Sequence, residues 1–216
     1  MNEQPPPESG PPRQEIPDAL SWQYIVLIVI IAFLIPITVA APIPIARGGF
    51  YVPFDQLRLT EHYDDPGGIS LDYPEGWSIA SPQPGDVQLT NRPPGNPSAQ
   101  PPIRAEIRVQ IVPREQITFT DGSVPDSGSS AFEVMAKLVE SLEEDTPTLT
   151  EVVIDSWSGA SIHQVRQGLE TELMLLTVDE DTYLAIRGTT NEGKWENFSG
   201  LFSRVLDTIA LQPAAG

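Results

Sequence analysis

The clearest periodic signal along the chain lies at residues 103–113. Ile103, Ala105, Ile107, Val109 and Ile111 alternate with Arg104, Glu106, Arg108 and Gln110. Successive side chains on a strand point to opposite faces, so this period of two predicts a half-buried strand in an antiparallel or mixed sheet. The same period holds where Ile69, Leu71 and Tyr73 alternate with Ser70 and Asp72. Pro74-Glu75-Gly76 then predicts a tight turn, and Trp77 with Ile79 begins another strand. Residues 87–90 make a short third strand. Three or four further strands are expected, with 151–157, 160–166, 169–178 and 183–189 as the candidates. Gly159, Gly168 and Asp179-Glu180-Asp181 punctuate them, as in a meander of hairpins.

Two stretches carry the helical period instead. Ser130 precedes Glu133 by three residues, the pattern of a capping box. Phe132, Met135, Leu138, Val139 and Leu142 follow at helical spacing and are expected to share one apolar face. Glu140, Glu143, Glu144 and Asp145 crowd the end of this helix, against its dipole, and Pro147 stops it. A second helix is expected over 193–211, with Trp195, Phe198, Leu201, Phe202, Val205, Leu206 and Ile209 as a broad stripe and Asn191 as N-cap. The order β-β-β-β-α-β-β-β-β-α predicts an α+β domain, an antiparallel sheet flanked by helices.

Upstream the pattern changes. Asp18 and Arg47 bracket residues 19–46, which carry no formal charge and include the run YIVLIVIIAFLI. About 20 apolar residues span the hydrocarbon of a bilayer, so one N-terminal transmembrane helix is expected here, kinked at Pro36. A cleaved signal peptide calls for a basic n-region and a shorter apolar core. This n-region holds four acids and one Arg, and Pro42 follows the best small-residue site. Residues 1–18 hold six Pro and read as a disordered tail. Residues 47–67 read as a stalk, and 68–212 as the folded domain.

Charge and composition narrow the function. The chain of 216 residues has 12 Lys+Arg against 30 Asp+Glu and a formal net charge of −18. All but two of the basic and four of the acidic residues lie beyond residue 47, so the charge belongs to the soluble part. Such a balance argues against nucleic acid as a partner, because phosphate binding needs clustered Lys and Arg. The absence of Cys excludes disulfides, thiol nucleophiles, cysteine-ligated metals and an acylated lipoprotein anchor.

Candidate chemistry is sparse. His62 and His163 are far apart and lack an H-x-x-x-H partner. Asp64-Asp65 and Asp179-Glu180-Asp181 could offer oxygens to Ca²⁺, yet both fall where a turn is wanted. Ser156-Trp157-Ser158-Gly159 misses the first Gly of a nucleophile elbow and precedes a strand rather than a helix. Asn197-Phe198-Ser199 matches a glycosylation acceptor, but Phe198 belongs to the apolar stripe. No catalytic, cofactor-binding or metal-ligating residue is assigned, and no cofactor is expected.

Tyr73-Pro74-Glu75-Gly76-Trp77, closing the first strand of the domain, resembles the opening motif of PsbP-like proteins. The order of parts is similar as well: a long alternating strand (IRAEIRVQIVP), a helix (AFEVMAKLVESL), a meander containing LAIRGTT, and a closing FSRVLDTIAL. The resemblance covers about residues 68–212. It implies an α/β/α sandwich around an antiparallel sheet and an extracytoplasmic setting. It also implies a non-enzymatic role in binding, assembling or stabilising membrane complexes. This chain departs in its N-terminal anchor, its acidic tail and its few Lys, and no family binding residue maps onto it.

The expectation is therefore a non-catalytic binding or assembly module, single-pass in the cell membrane. Its C-terminal domain lies outside the cytoplasm, and its partner is a protein in a membrane complex. The Lys/Arg count flanking the span, one before and two after, does not by itself set that orientation. An acidic Ca²⁺-responsive domain and a hydrolase on the same scaffold are the alternatives.

Overall fold

The computed structural model describes residues 53–92, 103–140 and 147–212. The expected tail at 1–18 and membrane span at 19–46 lie outside the described residues. So do Leu142 and all but the first two residues of the exposed loop expected at 91–102.

Ten strands and two α-helices are found among the described residues. Strands β1 (Leu59–Asp64), β2 (Ile69–Pro74) and β10 (Ala210–Leu211) form a small sheet with β2 in the middle. The other seven are β3 (Ser78–Gln83), β4 (Asp86–Thr90), β5 (Ala105–Pro113), β6 (Leu149–Ile154), β7 (Trp157–Arg166), β8 (Leu169–Asp179) and β9 (Thr182–Asn191). They form one sheet in the order β3-β4-β5-β9-β8-β7-β6, and every pairing is antiparallel. Helix α1 (Ala131–Glu140) packs on β6, β7 and β8, and α2 (Trp195–Leu206) packs on β2 and β9.

Strand β9 separates the two cores by its alternation. Leu184 and Ile186 join the larger core with α2, the small sheet and the inward residues of β5. Tyr183 and Ala185 join the smaller core under α1. The alternation of β5 works as expected on one side, where Ala105, Ile107 and Val109 are fully buried. The opposite side is less exposed than a half-buried strand implies, because Glu106 is only 4% exposed.

The fold corrects the expected α/β/α sandwich with a transmembrane helix. The described chain is mostly strand, in two sheets, and no helix among the described residues is long and apolar enough to cross a membrane. The second sheet was missed because its outer members look irregular. Of β1, LTEHYD, only Leu59 and Tyr63 are half-buried, and β10 is two residues long. Backbone pairing to β2 makes them strands, not amphipathic alternation.

The expected stalk at 47–67 is likewise part of the domain from Phe54 onward. Residues Phe54–Gln56 form a 3₁₀ turn whose Phe54 ring is buried against Trp77 and Phe198. The Arg204 guanidinium of α2 donates to the carbonyls of Leu57 at 2.7 Å and Phe54 at 2.9 Å. One charged donor thus binds two backbone carbonyls, which fixes the entering chain to the helix.

The helices differ in detail. The capping box forms as expected: Ser130 N–H donates to Glu133 Oε2 at 2.8 Å, and Glu133 N–H to Ser130 Oγ at 3.2 Å. The buried face of α1 is rotated, with Ala131, Val134, Met135 and Val139 inside and Phe132 40% exposed. Helix α2 stops at Leu206, where Thr208 turns the chain so that Ala210 and Leu211 can pair with β2. Asn191 does not cap α2. Its Oδ1 accepts the backbone N–H of Arg104, and Lys194 stands at the cap position. Residues 117–119 belong to no strand, although Phe119 is buried under α1.

Candidate functional site

The residues marked in the sequence for possible chemistry are scattered by the fold into separate clusters. His62, Asp64, Asp65, His163, Asp179 and Asp181 are each tied to the backbone or to a neighbour.

The first cluster lies on the outer face of the small sheet. The period of two places His62 and Asp64 of β1 on the same face as Ser70 and Asp72 of β2, with His62 opposite Asp72 and Asp64 opposite Ser70. His62 Nδ1 is 2.6 Å from Asp72 Oδ1, and Nε2 is 3.2 Å from Asp64 Oδ1 and 3.3 Å from Ser70 Oγ. The Asp72 hydrogen bond, with help from Asp64, raises the His62 pKa above its ordinary value against slight desolvation. The Asp–His–Ser order is that of a nucleophilic triad. Here, however, Asp64 sits on the nitrogen that would serve as the base, and Ser70 is only 5% exposed. Ser70 Oγ therefore acts as one more polar partner of the imidazole rather than as a presented nucleophile.

The second cluster fastens the start of α2. His163 of β7 has Glu172 Oε2 at 3.0 Å from Nδ1 and Glu170 Oε1 at 3.1 Å from Nε2. The other oxygen of Glu170 accepts the backbone N–H groups of Gly193 at 2.9 Å and Trp195 at 3.1 Å. A carboxylate on these free donors does what a side-chain N-cap would do, which explains why Asn191 is not needed there. The Trp195 ring stands edge-on to His163, 5.3 Å between centroids.

The third cluster was not singled out from the sequence. It lies on the α1 side of the large sheet, beyond the helix itself. Arg187 of β9 has the same parity as Tyr183 and Ala185, and Arg108 is directly opposite it on β5. Arg187 donates to Glu106 Oε1 at 2.7 Å, Arg104 donates to Glu106 Oε2 at 2.7 Å, and Arg108 binds both oxygens of Asp86 at 2.8 and 2.6 Å. Burial pushes the Glu106 carboxyl up, but the Arg104 hydrogen bond and the Arg187 charge outweigh it and hold the group below its ordinary value. Burial also pushes the Arg187 guanidinium down, which Glu106 opposes. Thr189, buried opposite Glu106, meets Thr171 of β8 at 3.4 Å. The alternation of charges along β5 was the available signal, but it cannot reveal which charges on β4 and β9 meet them.

The acid clusters resolve into turns. Asp65 Oδ2 accepts from the N–H of Gly67 at 2.7 Å and of Gly85 at 2.6 Å, and Oδ1 accepts from Ser81 at 2.6 Å. It thereby staples the β1–β2 turn to the β3–β4 turn. Gly67 is required here, since a Cβ would fall 1.9 Å from the Gly85 nitrogen. Asp179 Oδ1 accepts the Asp181 N–H at 2.9 Å, while Asp181 pairs with Arg114 at 2.6 Å. No group of three or more His, Asp or Glu able to hold a metal ion is found among the described residues. Ser156 lies in the β6–β7 turn ahead of a strand, and Phe198 is buried beside exposed Asn197.

Comparison with known proteins gives no family model and no curated protein that matches the chain. Among solved structures it is similar to a protein from Bacteroides thetaiotaomicron VPI-5482, at 15% identity and a TM-score of 0.47 over 72% of this chain and 50% of that one. It is also similar to cyanobacterial PsbP (CyanoP) from Synechocystis sp. PCC 6803, at 14% identity and a TM-score of 0.44 over 77% of this chain and 98% of that one. A third is LpqN of Mycobacterium tuberculosis, described as involved in cell envelope biogenesis, at 8% identity and a TM-score of 0.37 over 67% of this chain and 83% of that one. The chain spans about half the length of the Bacteroides protein. A PsbP protein thus stands among the structures it resembles. No residue role is transferred from any of them.

Proposed function

We propose that this chain is a non-catalytic binding or assembly module that works on the outer side of a cell membrane and docks onto a membrane protein complex. One observation carries the non-catalytic part: the histidines and the key carboxylates of the candidate clusters are engaged by the fold. Both oxygens of Asp65 hold turns, Glu170 caps a helix, and the base nitrogen of His62 faces a carboxylate. Side chains fixed in this way support a scaffold that presents surface, not a pocket that turns over substrate. The net acidity of the domain favours a partner with basic loops, and it disfavours direct contact with anionic headgroups. The Ca²⁺-responsive reading is weaker, because Asp65, Asp179 and Asp181 already accept hydrogen bonds or pair with Arg114.

Chemical crosslinking of the full chain in native membranes, followed by purification, tests the proposal. Recovery of one defined membrane complex, lost when the domain from residue 53 onward is deleted, is the expected result. Recovery of this chain alone would overturn it. Protease treatment of intact cells checks the side of the membrane, since cleavage within 91–102 only after lysis contradicts the outward placement.

A further inference from the structure

We infer that His62 is a proton-operated clamp that holds β1 against β2. Both of its ring nitrogens face carboxylate oxygens, Asp72 at 2.6 Å and Asp64 at 3.2 Å. A neutral imidazole carries one N–H, so it can donate to only one of them, and its bare nitrogen then faces the other carboxylate. Only the imidazolium donates to both. The charged groups set against His62 are Asp64 of its own strand and Asp72 of β2, with the Ser70 hydroxyl beside them. From the β10 side Asp64 meets only the neutral amide of Gln212, at 3.3 Å. Proton loss therefore leaves a single imidazole N–H between two carboxylates, one on each strand of the pair.

The location gives the clamp its effect. Strand β1 is an edge strand: Leu59 and Tyr63 pack against the larger core, while Thr60, Glu61 and His62 between them are exposed. The chain on either side is fixed independently, by Arg204 at residues 54–57 and by Asp65 at the following turn. Loss of the clamp thus lets β1, still paired to β2 through its backbone, open more often as a strap between two anchors.

The sign follows from the direction of the shift. A raised folded-state pKa means that the clamp is complete below the ordinary histidine range and is lost as pH rises through the raised value. Hydrogen exchange of the full chain in detergent, corrected for intrinsic rates between pH 5.5 and 8.5, reads this directly. Protection of 59–64 relative to 105–113 is expected to fall by roughly threefold, the scale of an exposed ion pair. His62→Gln should abolish that pH dependence. Asp72→Asn, which keeps the size of the side chain, should lower the His62 pKa in an NMR titration; the chain has two His, so assignment is direct. A flat protection ratio in the unmodified chain, an unchanged slope in His62→Gln, or an unmoved His62 titration in Asp72→Asn overturns the inference.

Discussion

Gly188 is expected to be the most informative single substitution in the large sheet. It faces α2 from β9, and a Cβ built there falls 2.8 to 3.0 Å from three ring carbons of Phe202. Its φ lies outside the left-handed region, so an alanine is not strained in its backbone and only packing is tested. Phe202 is buried in a stack with Trp195 and Phe198 and cannot retreat without disturbing both. Overpacking of this kind costs about 1–3 kcal/mol. Removing a glycine from the unfolded chain returns about 0.4–1 kcal/mol. Gly188→Ala should therefore still destabilise, by about 1–2 kcal/mol. Urea unfolding of the domain, followed by tryptophan fluorescence, measures it. Phe202→Leu supplies the control, because it opens space at the clash. The double variant should be more stable than the sum of the singles by about 0.5 kcal/mol or more. A Gly188→Ala variant as stable as the parent, or strictly additive behaviour in the double variant, refutes the packing account.

Three further outcomes follow from particular contacts. The Glu106 carboxyl is held below its ordinary value, so it contributes stability above the unfolded carboxylate range that is lost as pH falls through its folded value. The melting temperature should drop on acidification below about pH 4.5, and Glu106→Gln should remove that part of the drop while costing about 3 kcal/mol at neutral pH. Ser130→Ala removes one arm of the capping box and should cost about 1 kcal/mol in urea unfolding. Arg204→Met keeps the apolar stem but not the two hydrogen bonds to Phe54 and Leu57. Tryptic cleavage after Arg58 should then become much faster than in the parent, and an unchanged rate would show that Phe54 alone anchors this segment.

Much of the fold was legible because strand and turn signals are local. Residues 69–74, 86–90 and 105–113 follow a period of two, 169–191 is divided by the turn residues Asp179-Glu180-Asp181, and those strands are present. The capping box at Ser130 and Glu133 needs only three residues of separation. The face of α1 was misjudged, since Phe132 and Val134 both fit an apolar stripe and only the sheet beneath chooses between them. The candidate site was less legible. His62 and His163 were visible as residues, but Asp72, Glu170 and Glu172 had no mark of being their partners.

The amino-acid sequence alone determined the strand periods, the two helices, the turn residues and the acidity, because each depends on side-chain direction or charge within a few residues. The second sheet, the depth of the arginine ladder and the role of the supposed stalk were decided only by tertiary structure. Arg187 and Glu106 are 81 residues apart, and Arg204 reaches Phe54 across 150. Contacts at such separations depend on which strands pair, and no local period encodes that. A buried charge is tolerable only where its partner arrives, so the polar side of β5 could be read as solvent-facing until β4 and β9 were in place.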